Sequence, residues 1–475
     1  MAAPALESSP PTSESASATP LLSQADLPWL TLAVLIAVAL RILWIAQVNV
    51  DPNDGRFADA VFFHNVGRLL ADGWGYVDPY TRTATAQWPP GYPAALAALY
   101  KLFGFHLVLA KGLNIFFAAV TVTFVYLIGL RAFDRRVAYI GALIFALFPG
   151  QIYFSTVVMT ETMFAAVFML VLLLALVWTT DRLDARWWQL LLIGLLIGVA
   201  AMVRAEGLFL AAILVALWVL LVRPWRRMAR YCVMLALGTV LALTPWTVRN
   251  AIEFHEFIPL RPNAVQVLAL GLDQEAVAPP IFEGIRVTFS EGLEYQITHP
   301  WKIPELMSRR IVRLYKTDAD AMRFIRDPGI FMVEQLPVEG SDDVLLDFRA
   351  RESSDGPAKR YLSNQERALW RGLADRYFFA VGAAALVAAA VGLVRRQRGF
   401  LLLILAVLGW TLLFGLIPPS PRFHHPVGPV IAILAGAFLV FVWDAALVAR
   451  LRLAGPSREV RAGLASAEEQ EDEAS

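Results

Sequence analysis

The chain has 475 residues, 58% of them hydrophobic and only 17% charged. Globular domains run at roughly 45–50% and about 25%, so much of this chain must face lipid. A net charge of +1 argues against a nucleic-acid partner, which needs a basic excess, and a single cysteine, Cys232, excludes an intramolecular disulfide and zinc-finger spacing.

In chain order, residues 1–27 are rich in Ser, Pro, Ala and Thr, lack basic side chains, and read as a disordered tail. The first apolar run starts near Trp29, too late and without the basic flank of a cleavable signal, and is read as a retained helix. A span needs about 20 apolar residues. On that rule spans are predicted near residues 29–47, 107–130, 137–151, 162–180, 187–203, 206–222, 230–247, 377–394, 399–417 and 426–447. The run Gly91 to Gly104 is short, follows Trp88-Pro89-Pro90 and contains Lys101, which predicts a helix tucked against the membrane.

Short cytoplasmic loops carry the excess of Lys and Arg. With ten spans and the N-terminus inside, Arg131/Arg135/Arg136, Arg182/Arg186, Arg223/Arg226/Arg227/Arg230, Arg395/Arg396/Arg398 and Arg450/Arg452/Arg458 all fall on the cytoplasmic side. The expected organisation is a tail (1–27), a transmembrane module (28–247) with a first outer loop at 48–90, an extracytoplasmic segment (248–376), C-terminal helices (377–447) and an acidic cytoplasmic tail (448–475). The long segment mixes charge with apolar residues and includes a predicted helix at Pro304 to Lys316.

In the first outer loop, Phe57 to Gly73 has helical periodicity, with Phe62, Phe63, Val66, Leu69 and Leu70 forming one apolar stripe. Asp59 belongs to that stripe, while His64, Arg68 and Asp72 are expected on the opposite side. A carboxylate on an apolar face at a membrane surface is costly, which marks Asp59 as a candidate functional group; a first-turn charge favourable to the helix dipole is the competing explanation. Asp51 and Asp54 lie in a turn (DPNDG) and are reserve carboxylates.

Asp59, Phe62-Phe63, Arg68, Gly73, Gly75-Tyr76 and Pro89-Pro90-Gly91-Tyr92 together resemble the first outer loop of the GT-C glycosyltransferase superfamily, in the branch of the dolichyl-phosphate-mannose protein mannosyltransferases and the lipid A aminoarabinose transferases. Four later segments resemble the same branch: Thr160-Glu161, VRAEGL at Val203 to Leu208 with Ala205 in place of a proline, TPWTVRN at Thr244 to Asn250, and PRFHHPVGP beginning at Pro421. The chain has Gln87-Trp88 where the aminoarabinose transferases carry Glu-Lys, which puts that sugar in doubt. The resemblance implies an all-α polytopic membrane fold of about ten helices with a mixed extracytoplasmic segment, and direct, inverting transfer of a sugar from a polyprenyl-phosphate donor to a lipid, glycan or protein acceptor.

Such a reaction needs a base, cations for the departing phosphate and a channel for the lipid. Asp59 is the candidate base. Glu161 is a second candidate catalytic acid that would bind sugar hydroxyls or help hold a divalent cation (Mg or Mn); an ordinary helix-start acid is the alternative. Arg204, Arg249 and Arg422 are the candidate phosphate ligands, with Lys302, Arg309 and Arg310 in reserve, and His424 and His425 as assisting groups. Snorkelling at helix ends competes for each arginine. The sequence contains no close-spaced metal motif, and metal dependence stays open. A transporter or flippase without transferase activity is the rival function, but transporters place ionisable groups near the midplane, whereas these acids stand in outer loops. The Ala/Leu/Arg-rich composition leans toward a bacterial plasma membrane.

Overall fold

The computed structural model describes residues 22–48, 50–52, 58–180, 183–262, 289–323, 325, 362–395 and 397–454. Among these residues the chain is all-helical, and β structure is confined to isolated bridges such as that between Val77 and Ala84. The helices are α1 (Leu27–Gln47), α2 (Ala58–Ala71), α3 (Gly91–Phe103), α4 (Leu107–Ala132), α5 (Arg135–Ala146), α6 (Pro149–Tyr153), α7 (Glu161–Ala175) and α8 (Trp187–Val203). They continue as α9 (Phe209–Leu221), α10 (Trp225–Phe254), α11 (Phe289–Thr298), α12 (Ile303–Leu314), α13 (Asn364–Arg395), α14 (Arg398–Leu416) and α15 (Gly428–Ala454).

Among the described residues seven helices are long and apolar enough to cross a membrane, the pair α5 and α6, bent by 54°, makes an eighth when taken as one span, and two shorter apolar helices run over Trp187–Val203 and Ala205–Leu221. These segments coincide with the ten predicted runs. The bend falls where Pro149 opens α6, because proline cannot supply the N–H that would continue α5. Outward-facing Leu35, Val240 and Leu386 leave an apolar exterior suited to lipid, while backbone polar groups are satisfied inside the helices.

With lipid outside, the helices hold together by close packing of small residues. A Cβ added to Gly194 in α8 would lie 2.2 Å from the Leu235 carbonyl oxygen of α10, and one added to Gly238 would lie 2.2 Å from the Leu191 carbonyl oxygen, so this crossing admits only glycine. The main core contains Phe164 and Phe168 of α7 against Trp410 of α14. A second core, under the first outer loop, gathers Phe62, Phe63, Val66, Tyr76, Tyr92 and Leu96.

Two elements depart from the sequence expectation. α13 begins at Asn364, well before the predicted residue 377, because its first turns (NQERALWRGLADRYF) are polar but strongly helix-forming, and a hydropathy rule sees only the apolar part. The face of α2 opposite the apolar stripe is covered by α3 over His64 and Arg68. His64 is fully buried, with Nδ1 2.8 Å from the Tyr100 hydroxyl, and the Arg68 guanidinium lies 4.8 Å from the Phe105 ring; only Asp72 of the three stays exposed. The predicted helix at 304–316 is α12. Asp54 and about half of the long segment lie outside the described residues, and Asp51 is buried.

Candidate active site

Four of the sequence-predicted side chains meet at helix ends. Asp59 stands in the first turn of α2, Glu161 opens α7, Arg204 occupies the extended residue (φ −148°, ψ 128°) between α8 and the turn leading into α9, and Arg422 belongs to a 3-10 segment, Pro421–Val427, that precedes α15. Arg422 Nη2 lies 2.5 Å from Asp59 Oδ2 and its Nε 3.7 Å from Glu161 Oε1. Arg204 Nη1 donates to the same Glu161 oxygen at 3.0 Å and to Thr160 Oγ1 at 3.0 Å, while its Nη2 is 3.5 Å from Glu206 Oε1. Carboxylates and guanidiniums thus alternate along one chain, Asp59–Arg422–Glu161–Arg204–Glu206. Phe423 packs under it, 4.9 Å from the Arg204 guanidinium and 5.4 Å from that of Arg422.

Glu161 is 2% exposed, and Asp59 retains 20% of its side-chain surface. Desolvated charges persist only with partners, and these have them. Two valences are nevertheless unfilled by protein: Glu161 Oε2 and Arg204 Nε are buried without a hydrogen-bond partner. A buried carboxylate oxygen and a guanidinium N–H left open in one cluster are a place for a polar ligand.

The surroundings hold Glu161 in place. Asn114, fully buried in α4, accepts from the Tyr92 hydroxyl at 3.0 Å and from Thr162 Oγ1 at 2.9 Å, and donates to the Val157 carbonyl at 2.7 Å. It therefore links α3, α4, the loop before α7 and the first turn of α7. Burial, and then the charge of Glu161, push the Tyr92 hydroxyl above the ordinary phenol range, so it remains a donor.

Arg249 stands apart from this cluster. Its Nη1 donates to the Thr85 carbonyl and its Nη2 to the Tyr76 carbonyl, both at 2.8 Å, and it lies 5.1 Å from the Trp246 ring. Within the same TPWTVRN motif, Trp246 Nε1 donates to the Leu260 carbonyl and Asn250 Nδ2 to that of Ile258, each at 2.9 Å. The motif fastens the first outer loop and the chain leaving α10 onto the end of that helix. Arg310 is likewise occupied, with Nη1 2.7 Å from the Leu416 carbonyl; Arg309 pairs with Glu305 on the surface, and Lys302 is exposed.

His424 is buried and faces away from the carboxylate chain. Its Nδ1 lies 3.0 Å from the Leu314 carbonyl and its Nε2 3.0 Å from Asp318 Oδ1. Burial holds the Asp318 carboxyl above its usual range against the opposing pull of His424. Asp318, His424 and His425 place one ligand atom each within 4.8 Å of one another, a candidate metal centre. Asp318 carried no sequence signal, whereas Asn114, a polar residue in a predicted span, and Glu206, inside VRAEGL, were both visible as anomalies.

Residues 87–248 match the family model described as dolichyl-phosphate-mannose-protein mannosyltransferase. No curated protein matches the chain in sequence. Among solved structures, the apo oligosaccharyltransferase of Archaeoglobus fulgidus superposes with a TM-score of 0.53 at 17% identity over 91% of this chain and 52% of that one. AglB of Archaeoglobus fulgidus, in complex with an inhibitory peptide and a dolichol-phosphate, gives 0.54 at 17% over 92% and 52%. Apo ArnT from Cupriavidus metallidurans gives 0.52 at 16% over 91% and 64%. The chain thus spans about half the length of the archaeal enzymes. The chain shares its fold with these archaeal oligosaccharyltransferases and with ArnT, and its residues 87–248 match the protein-mannosyltransferase family model.

Proposed function

We propose that this integral membrane protein transfers a sugar from a polyprenyl-phosphate carrier to an acceptor hydroxyl, with inversion, on the extracytoplasmic side of a bacterial plasma membrane. The observation that carries the reading is the alternating chain Asp59–Arg422–Glu161–Arg204, with Glu161 Oε2 and Arg204 Nε left open. The dolichol-phosphate held by AglB, a protein of the same fold, supports the class of donor. The cluster lies at the helix ends opposite the basic loops at Arg186, Arg395 and Arg450, which supports the assignment of side.

In this mechanism the donor phosphate competes with carboxylates for two guanidinium forks. Arg422 turns from Asp59 to phosphate oxygens and Arg204 offers its open Nε. Asp59, released from that partner, then acts as base. The acceptor oxygen bonds to the anomeric carbon, the bond from that carbon to the phosphate oxygen breaks, the acceptor proton passes to Asp59, and the carrier leaves as polyprenyl phosphate with its new charge on the arginines. Glu161 Oε2 takes a sugar hydroxyl or a divalent cation of the Mg or Mn class.

The test is release of polyprenyl phosphate from a panel of radiolabelled polyprenyl-phosphate hexoses and pentoses by the full chain in proteoliposomes supplied with a cell-envelope extract as the source of acceptor, with and without chelator. Release by wild type, lost in Asp59→Asn, is the expected result. Binding or flipping of these donors without release by wild type refutes the enzymatic reading. Mass spectrometry of surface glycans after deletion of the protein then identifies the acceptor.

A further inference from the structure

We propose that Asp318, His424 and His425 form a buried site for one zinc-class divalent cation, which fastens the stretch around residue 318 to the segment that carries Arg422. The three side chains are 0%, 1% and 1% exposed. The Leu314 carbonyl only accepts, so His424 Nδ1 carries its hydrogen and Nε2 faces Asp318 Oδ1 at 3.0 Å with a lone pair. That lone pair and the carboxylate oxygen face one another across a buried gap that a cation can fill. His425 is worse placed: both of its ring nitrogens are buried without a hydrogen-bond partner.

One cation resolves both problems by taking lone pairs from His424 Nε2, a ring nitrogen of His425 and Asp318 Oδ1. At zinc–ligand distances of about 2.0–2.2 Å, neighbouring ligand atoms in a tetrahedral site lie roughly 3.3 Å apart. The existing 3.0 Å separation already fits, and a cluster no wider than 4.8 Å closes with side-chain rotation alone.

The outer contacts are those a metal centre requires. His424 Nδ1 is fixed by a carbonyl, and the second oxygen of Asp318 accepts the Gly150 N–H at 3.0 Å. A Cβ at Gly150 would stand 2.1 Å from that oxygen, so the approach requires glycine. Gln151 Nε2 donates to the His425 carbonyl at 3.0 Å, and Asp375 Oδ1 accepts the Asp318 N–H at 2.9 Å, adding a second negative charge nearby. Two imidazoles and one carboxylate suit zinc and exclude a dedicated magnesium site, which calls for octahedral oxygen. The site is distinct from Glu161 and does not depend on the sugar-transfer reading.

The experiment is metal analysis of the full chain purified in detergent from zinc-supplemented cells and dialysed against a weak chelator. Wild type and Glu161→Gln are expected to retain about one zinc per chain, and Asp318→Asn and His425→Ala to lose at least about tenfold in zinc affinity. Wild-type protein stripped of metal is also titrated with Co²⁺, whose ligand-field absorption reports a tetrahedral nitrogen and oxygen site; this decides the question even if the variants fail to fold. Substoichiometric zinc with no cobalt band overturns the proposal, as does full zinc retention by His425→Ala.

Discussion

Replacing Glu161 with glutamine separates a site acid from a mere helix-start charge. The change leaves both arginines with a carboxylate, since Arg204 keeps Glu206 at 3.5 Å and Arg422 keeps Asp59 at 2.5 Å. The amide oxygen still accepts from Arg204 Nη1. What is lost is the difference between a charged and a neutral acceptor at 3.0 Å, plus the weaker 3.7 Å pair with Arg422, together about 1–2 kcal/mol of stability. Turnover falls much further, by about 10²-fold or more, because the charge that aligns both guanidiniums and the open Oε2 is gone. If Glu161 only complemented the dipole of α7, stability would fall by about 0.3–1 kcal/mol and transfer would be unaffected. Thermal melting in detergent and carrier-phosphate release in proteoliposomes read the two quantities on one preparation. Transfer within about twofold of wild type refutes a role for Glu161 in the reaction.

Arg422→Lys keeps a charge but not the fork that reaches Asp59 and Glu161, and is expected to lose about 10²-fold in kcat/KM while melting within a few degrees of wild type. Arg249→Met removes two charge-assisted bonds to the Tyr76 and Thr85 carbonyls and should cost about 2–4 kcal/mol, with limited proteolysis cutting within residues 74–88; a direct phosphate ligand would instead lose activity without loosening that loop. Asn114→Leu strands the Tyr92 and Thr162 hydroxyls and the Val157 carbonyl, for an expected loss of about 3–5 kcal/mol seen as a lower melting temperature, with residual turnover reduced because Glu161 is no longer fixed.

The membrane fold was legible because lipid imposes one simple rule on sequence: about 20 apolar residues per span, with basic residues gathered at alternate ends. The rule reads apolar length and nothing else, so it placed α7 and α14 closely but missed the polar turns that open α13. The same kind of limit explains α2. Periodicity distinguished its two faces, but α3 arrives from residues 91–103 and buries the second one, so His64 and Arg68 pack on aromatic rings. Asp59, Glu161, Arg204 and Arg422 were each visible as charges where apolar runs end. Their meeting was not visible, since Asp59 and Arg422 are 363 residues apart. Asp318 was hidden altogether, because an aspartate in a polar segment carries no sign that its neighbours will bury it.

The two explanations offered for the acids of this site are parts of one design. Asp59 and Glu161 stand in first helical turns, where open backbone N–H groups already favour a negative charge, and Arg204 and Arg422 stand at breaks between helices. In a bundle surrounded by lipid, helix ends are the positions where charge costs least, so they are the places where a polar reaction site is assembled with the least loss of stability. Helix-end placement therefore does not argue against catalysis. What distinguishes these residues from ordinary terminal charges is that two arginines from separate chain breaks, one of which also holds Asp59, converge on a single carboxylate that is 2% exposed, a burial that a solitary cap or a snorkelling arginine has no reason to reach.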